Sequence, residues 1–232
     1  GYTTHFTVYD TDDQRRLMKQ ILKDEGIDEK FLPHRSVLSA VSAAKDELIG
    51  PAELLQTAGN DPRQQKIAQL YGIYNRRLRS ADAMDFDDMI CETVRLLREN
   101  PDILEYYGSK FRYVMVDEYQ DTNHAQYVLV SLLSSVHGNL CVVGDDDQSI
   151  YRFRGATIEN ILNFEEEFPG AKTVRLEQNY RSTGNILSAA NAVISHNMGR
   201  KGKKLWTDRG DGEKLTLYTA PDERAEAAWV AE

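Results

Sequence analysis

The 232 residues suffice for one large domain or two ordinary ones, and a balance of 41% apolar to 28% charged residues belongs to a globular chain. No apolar run reaches bilayer-spanning length, and no basic amino-terminal segment leads into an apolar stretch with a cleavage site. The formal net charge of −9 weighs against a uniformly basic nucleic-acid binder, although a local groove answers to where charges lie and not to their sum.

Residues 1–10 are short, polar and β-leaning. Thr11 and Gln14 then have the spacing of a capping box, with Leu17, Met18, Ile21 and Leu22 at helical intervals behind them. Gly26 stops that helix and Pro33 separates it from a second, marked by Val37, Val41, Ala44 and Leu48 and closed by Gly50-Pro51. Asp61-Pro62 starts a third, with Ile67, Leu70, Tyr71, Tyr74 and Leu78 on one face. A fourth begins near Asp85 and carries Phe86, Ile90, Val94 and Leu97 before Pro101. The first 110 residues or so therefore read as all-α. From Tyr113 the pattern changes. Val114-Met115-Val116 and Leu140-Cys141-Val142-Val143 are continuous apolar runs of the kind found in parallel strands buried on both faces. Between them Ala125, Val128, Leu129, Leu132 and Leu133 form one side of a helix, which makes a βαβ unit. A helix over about 158–168, a strand at 173–176, a helix through Ile186 to Ile194, a strand at 215–218 and a helix from Glu223 complete the expectation of an α/β fold. Cys91 and Cys141 lie far apart in no metal-ligand spacing, which suits a reduced, cytoplasmic protein.

Three stretches carry chemistry. Asp117 and Glu118 follow an apolar run, and ligands of open α/β sheets bind beyond the carboxyl ends of strands. One carboxylate there can hold Mg²⁺ while its neighbour polarises an attacking water. The second stretch, residues 143–155, leaves the neighbouring strand and should face the same crevice. Its Gln148 offers a neutral amide that could sense a terminal phosphate. Tyr151 and Phe153 alternate with Arg152 and Arg154, a pattern suited to stacking bases and gripping a single-stranded backbone. In the third, residues 176–182, Arg181 stands just before Ser182, read as a helix N-cap, from which a guanidinium can reach a phosphate. Tyr180 could stack on a base.

Together, Asp-Glu-Tyr-Gln-Asp-Thr-Asn at 117–123, Gly-Asp-Asp-Asp-Gln-Ser-Ile-Tyr-Arg-Phe-Arg-Gly-Ala at 144–156 and Gln-Asn-Tyr-Arg-Ser at 178–182 resemble the second, third and fourth motifs of the superfamily 1 DNA helicases of the UvrD, Rep and PcrA type. Residues 84–89 and the His196-Asn197 pair followed by the basic 200–204 also match recurrent stretches of that family. The resemblance implies a RecA-like P-loop NTPase fold, with ATP and Mg²⁺ as cofactors and single-stranded and partially duplex DNA as partner, in repair or replication. It makes Asp117 the Mg²⁺ ligand and Glu118 the general base. Gln148 becomes a contact to the terminal phosphate that couples hydrolysis to DNA. Tyr151, Phe153 and Arg154 become DNA contacts, Tyr180 the residue stacking on adenine and Arg181 the arginine finger. The family usually has Trp where this chain has Phe153.

A phosphate-cradling loop Gly-x-x-x-x-Gly-Lys-Ser/Thr does not occur in these residues; Gly202-Lys203 is followed by Lys204 and has no Gly five places before it. By resemblance the chain is an interior piece: residues 1–111 a helical insertion, 112–177 the second half of the first RecA-like domain, 178–232 the start of the second. Its partners would include the upstream and downstream parts of the same helicase, and alone it is expected to hydrolyse no ATP at a helicase-like rate. Two other readings are a catalytically dead single-strand-binding or interaction module and the helicase part of a helicase-nuclease. The intact set of Asp117, Glu118, Gln148 and Arg181 weighs against the first, because a binding module needs none of them. The basic run Arg200, Lys201, Lys203, Lys204 and Arg209 reads equally as a solvated linker or a DNA contact.

Overall fold

Helices whose starts are written in local chemistry dominate the first part of the chain. The computed structural model describes residues 1–231, apart from the side chain of Arg154. After a two-residue strand β1 (Thr7–Val8), helix α1 (Thr11–Asp24) is capped by Asp10, whose side chain accepts from the N–H groups of Asp12 and Asp13. Asp13 returns the bond to the Asp10 backbone, so the capping box is Asp10/Asp13 and not Thr11/Gln14. A carboxylate is a stronger acceptor for the orphan donors and suits the positive end of the helix dipole. Helices α2 (His34–Asp46), α3 (Pro51–Thr57) and α4 (Pro62–Ser80) follow, the last two each with proline in the first turn. Leu48, expected inside the second helix, lies beyond its end at φ 57°.

Strand β2 (Ala83–Met84) pairs in parallel with β1, Thr7 opposite Ala83. This small ribbon is the one departure from an all-α amino-terminal part. Helix α5 (Phe86–Glu99) starts at Asp85, which forms a reciprocal capping box with Asp88, and α6 (Pro101–Lys110) starts on proline. The core of this part joins α1, α2 and α4 through Met18, Ile21, Leu22, Val41, Leu70 and Tyr74, all essentially inaccessible to solvent. Burying each such aliphatic side chain contributes about 1.5–3 kcal/mol.

Strands β3 (Val114–Val116) and β4 (Leu140–Val142) are parallel, with Val114 opposite Leu140. The crossover between them is α7 (His124–Ser134), which packs on β3 and on α2, α5 and α6. The strands were expected to be buried on both faces. Instead Val114, Val116, Leu140 and Val142 are half-buried, whereas Met115 is 77% exposed and Cys141 is exposed as well. Among the described residues this sheet has two strands, and alternation turns Met115 and Cys141 to its other face.

The single helix expected near 158–168 is two short ones, α8 (Glu159–Leu162) and α9 (Phe164–Glu167). The chain forms two compact units, Gly1–Phe164 and the residues from Glu165 onward. In the second unit, α10 (Gly184–Ile194) and α11 (Glu223–Ala231) form as expected. The strands expected at 173–176 and 215–218 do not. Val174 and Leu176 are exposed and Leu217 is 94% exposed, and the pairing found in this unit is one parallel bridge between Gln178 and Trp206. A strand needs a ladder partner, which an apolar run alone does not supply.

Candidate nucleotide and nucleic-acid site

The ends of β3 and β4 place two polar loops side by side. Asp117 and Glu118 follow β3 directly, and both are exposed. The Glu118 N–H donates to Asp117 Oδ1 at 2.9 Å. Glu118 adopts φ 49°, ψ 43°, the left-handed region that a residue with a side chain visits only when its surroundings impose it. They do so through the backbone: Val143 N–H donates to the Val116 carbonyl at 2.8 Å, and Tyr119 N–H donates to the Val143 carbonyl at 2.9 Å. The turn after Glu118 is thereby hung on Val143, the residue that follows β4. A 3₁₀ turn, Tyr119–Asp121, leads to Asn123, the N-cap of α7, which exchanges capping bonds with Gln126.

On the β4 side, Gly144 permits a close approach. A Cβ there would come within 2.6 Å of Gln120 Oε1 and 2.8 Å of Ile161 Cδ1. The next three residues, Asp145, Asp146 and Asp147, bring one carboxylate oxygen each to within 4.8 Å of one another. Gln148, exposed, donates from Nε2 to Asp145 Oδ2 at 2.6 Å, so its amide folds back on its own loop. Beyond it the Tyr151 and Phe153 rings lie 6.0 Å apart between centroids, tilted by 40°, with Phe153 78% exposed and Ile150 exposed beside them. The side chain of Arg154 lies outside the described residues.

Behind the two loops, α2 supplies Asp46. Its Oδ1 accepts from Asn123 Nδ2 at 2.6 Å, and a Cβ on Gly155, at φ 84°, would collide with its carboxylate. Asp46 thus ties the helical layer to the residues flanking both loops. Burial, then the neighbouring Asp87 carboxylate, pushes its pKa up to about 6, against a smaller lowering by the Asn123 hydrogen bond. A raised folded-state pKa means the folded chain holds the proton more tightly than the unfolded one. The ionised form therefore opposes folding: its cost is absent below about pH 4, grows through the interval up to about pH 6, and is complete above it. Asp46→Asn, which keeps an acceptor for Asn123, is expected to raise the melting temperature above pH 6. Melting curves at pH 4 and pH 7.5 check this, and an equal shift at both pH values would contradict it.

In the second unit, Tyr180 is exposed and its hydroxyl donates to Gln178 Oε1 at 3.0 Å. Arg181 and Ser182 both donate backbone N–H bonds to Asn179 Oδ1, at 3.0 and 2.7 Å. Arg209 Nη1 donates to the carbonyls of Tyr180 and Arg181 at 3.2 and 3.0 Å. The N-cap of α10 is Thr183, not Ser182, because Ser182 is occupied in this asparagine-centred turn. In the basic run, Lys201 pairs with Glu165 at 3.1 Å and Arg209 braces the Tyr180–Arg181 turn.

The first unit therefore assembles Asp117, Glu118, Gln148, Tyr151 and Phe153 on adjacent loops, while Tyr180 and Arg181 share one braced turn in the second. Sequence reasoning passed over Gln120 and Asp46. A glutamine three places after Asp117 carries no local sign of burial, although Gly144 in the facing loop hints at a tight crossing.

The UvrD/REP helicase N-terminal domain matches residues 1–169, and the UvrD-like helicase C-terminal domain matches residues 174–232. The chain belongs to the UvrD/Rep helicase family. It is 52% identical to the ATP-dependent DNA helicase UvrD1 of Mycobacterium tuberculosis, with all of this chain and 31% of that protein covered. It is 52% identical to the ATP-dependent DNA helicase PcrA of Staphylococcus epidermidis and 51% identical to that of Staphylococcus aureus, with 99% of this chain and 31% of each relative covered. This UvrD/Rep-family chain thus spans about a third of the length of the curated relatives it matches. No helix among its described residues is long and apolar enough to cross a membrane.

Proposed function

We propose that the chain is the part of an ATP-dependent DNA helicase that carries the water-activating half of the nucleotide site and a stacking surface for single-stranded DNA. The observation that carries this is the pair of loops at the ends of β3 and β4, with exposed carboxylates on one and exposed aromatic rings on the other. In this reading the parallel pair belongs to a RecA-like sheet; residues 1–111 form a helical insertion, 112–177 complete the first RecA-like domain and 178–232 open the second.

The donor set suits ATP with Mg²⁺: Asp117 presents a hard oxygen ligand at a strand end, with one oxygen already oriented by the Glu118 N–H. Bound there, the metal would supply charge neutralisation on the phosphate oxygens. Glu118 accepts the proton of the attacking water. Gln148, released from Asp145, turns its amide to the terminal phosphate. Arg181 supplies positive charge to the transferring group, and Tyr180 stacks on the base. Tyr151 and Phe153 stack on successive bases of single-stranded DNA, with Arg154 on its backbone. Phe in place of the family's usual Trp offers less surface for the same contact.

The test is ATP hydrolysis by the full-length protein with and without single-stranded DNA, beside the isolated 232-residue chain. The full-length protein is expected to turn over faster with DNA and to separate a partial duplex. The isolated chain, having no Gly-x-x-x-x-Gly-Lys-Ser/Thr loop, is expected to give no helicase-like turnover. DNA-stimulated hydrolysis by the isolated chain, or none by the full-length protein, would contradict the reading.

A further inference from the structure

Gln120 is 1% exposed, and its carboxamide is used at both ends. Oε1 accepts from the Asp145 N–H at 2.9 Å, and Nε2 donates to Glu118 Oε2 at 2.8 Å. A buried amide is costly unless both its donor and acceptor are satisfied, so this side chain is fixed chiefly by the two groups it joins, with a longer contact from Nε2 to Asp121 Oδ2 at 3.5 Å. Gly144 leaves the room it occupies, since a Cβ there would press on Gln120 Oε1. One planar group therefore spans from the carboxylate of Glu118 to the backbone of the loop that runs on to Gln148, Tyr151 and Phe153.

We propose that Gln120 is a positioning residue that transmits the state of the 145–153 loop to Glu118, so that DNA held by the aromatic rings sets the orientation of the carboxylate that activates water. This rests on the reading of Glu118 as general base and of Tyr151 and Phe153 as DNA contacts. Displacement of the loop carries the Asp145 N–H with it. The amide follows, because releasing that bond would strand a buried acceptor, and Nε2 then turns the Glu118 carboxylate on its left-handed backbone.

The experiment uses the full-length protein with two substitutions. Gln120→Met keeps the length and removes every hydrogen bond of the side chain. Gln120→Glu keeps an acceptor for Asp145 but removes the donor to Glu118 and sets a second carboxylate beside it. Both are expected to lower kcat for ATP hydrolysis with single-stranded DNA by roughly 10- to 100-fold, the scale of a misplaced catalytic group. The KM for ATP and the affinity for DNA should stay within about twofold, since the proposed role of Gln120 is to orient Glu118 and not to touch nucleotide or DNA. The ratio of DNA-stimulated to unstimulated turnover should fall in both variants. If Gln120→Met does not fold, Gln120→Glu carries the test. Unchanged kcat overturns the proposal, and so does a loss in which kcat and melting temperature fall while KM rises, with the stimulation ratio intact. Glu118→Gln run alongside separates the causes. If it loses turnover while the Gln120 variants keep theirs, only this inference fails; if it keeps turnover, the assignment of Glu118 fails and this inference with it.

Discussion

Glu118→Gln in the full-length protein is expected to lower DNA-stimulated ATP hydrolysis by about 10²- to 10⁴-fold, the contribution of a positioned general base. The substitution changes little else. Glutamine has the length of glutamate, and its Oε1 can accept the bond that Gln120 Nε2 now gives to Glu118 Oε2. The left-handed backbone at 118 is held by the bonds that tie Val143 to Val116 and Tyr119 to Val143, none of which involves the side chain. Affinity for single-stranded DNA should therefore remain that of the unsubstituted protein, because the aromatic rings proposed to hold DNA, at 151 and 153, lie on the other loop. Phosphate release and fluorescence anisotropy on the same preparations measure the two quantities. Turnover within about tenfold of the unsubstituted protein would remove Glu118 from the role of base.

Lys45→Met is expected to cost about 3–5 kcal/mol of folding stability, the penalty of breaking a buried ion pair by removing one partner. Lys45 is 2% exposed, and its ammonium lies 2.7 Å from both Asp85 Oδ2 and Asp88 Oδ1. Tyr74 donates its hydroxyl to the same Asp85 oxygen at 3.0 Å, and the ammonium also sits over the Tyr74 ring at 5.3 Å. Burial alone would lower the Lys45 pKa, but the two carboxylates outweigh it and raise it. Asp85 and Asp88 are the capping box of α5, so the ion pair fastens the start of that helix to the end of α2. Without the ammonium two buried carboxylates face each other. Asp88 already has a raised pKa, with burial the leading cause. The loss should therefore be larger at pH 8 than at pH 5, where protonation relieves the repulsion. Urea unfolding at both pH values tests this. A loss below about 1 kcal/mol, the scale of a surface pair, would contradict a buried network.

How much of this was legible depended on how local the cause is. Pro62 and Pro101 open helices wherever φ near −65° is needed and no N–H is missed, and Asp61 and Asp85 cap from within one turn. Asp10 and Thr11 are both capping residues, so sequence alone placed that helix start one residue late. The runs at 114–116 and 140–142 became strands because each has the other as its ladder partner. Residues 173–176 and 215–218 alternate apolar with polar residues, but a ladder depends on a partner strand in space, and among the described residues neither stretch has one. The same division holds at the candidate site. Asp117, Glu118 and the alternation at 151–154 stand out as strings of residue types. The left-handed turn at Glu118 and the buried amide of Gln120 arise only where two loops meet at Gly144, a tertiary event that no window of sequence contains.

The central claim is that the loops after β3 and β4 form one nucleotide and DNA unit. Its most direct test is a crystal structure of the full-length protein with Mg²⁺, a non-hydrolysable ATP analogue and single-stranded DNA. The account predicts the metal on the Asp117 carboxylate, directly or through water, the Glu118 carboxylate facing the water in line with the terminal phosphate, and DNA bases against Tyr151 and Phe153. A nucleotide whose metal is held by other residues, or DNA that bypasses both aromatic rings, would contradict it.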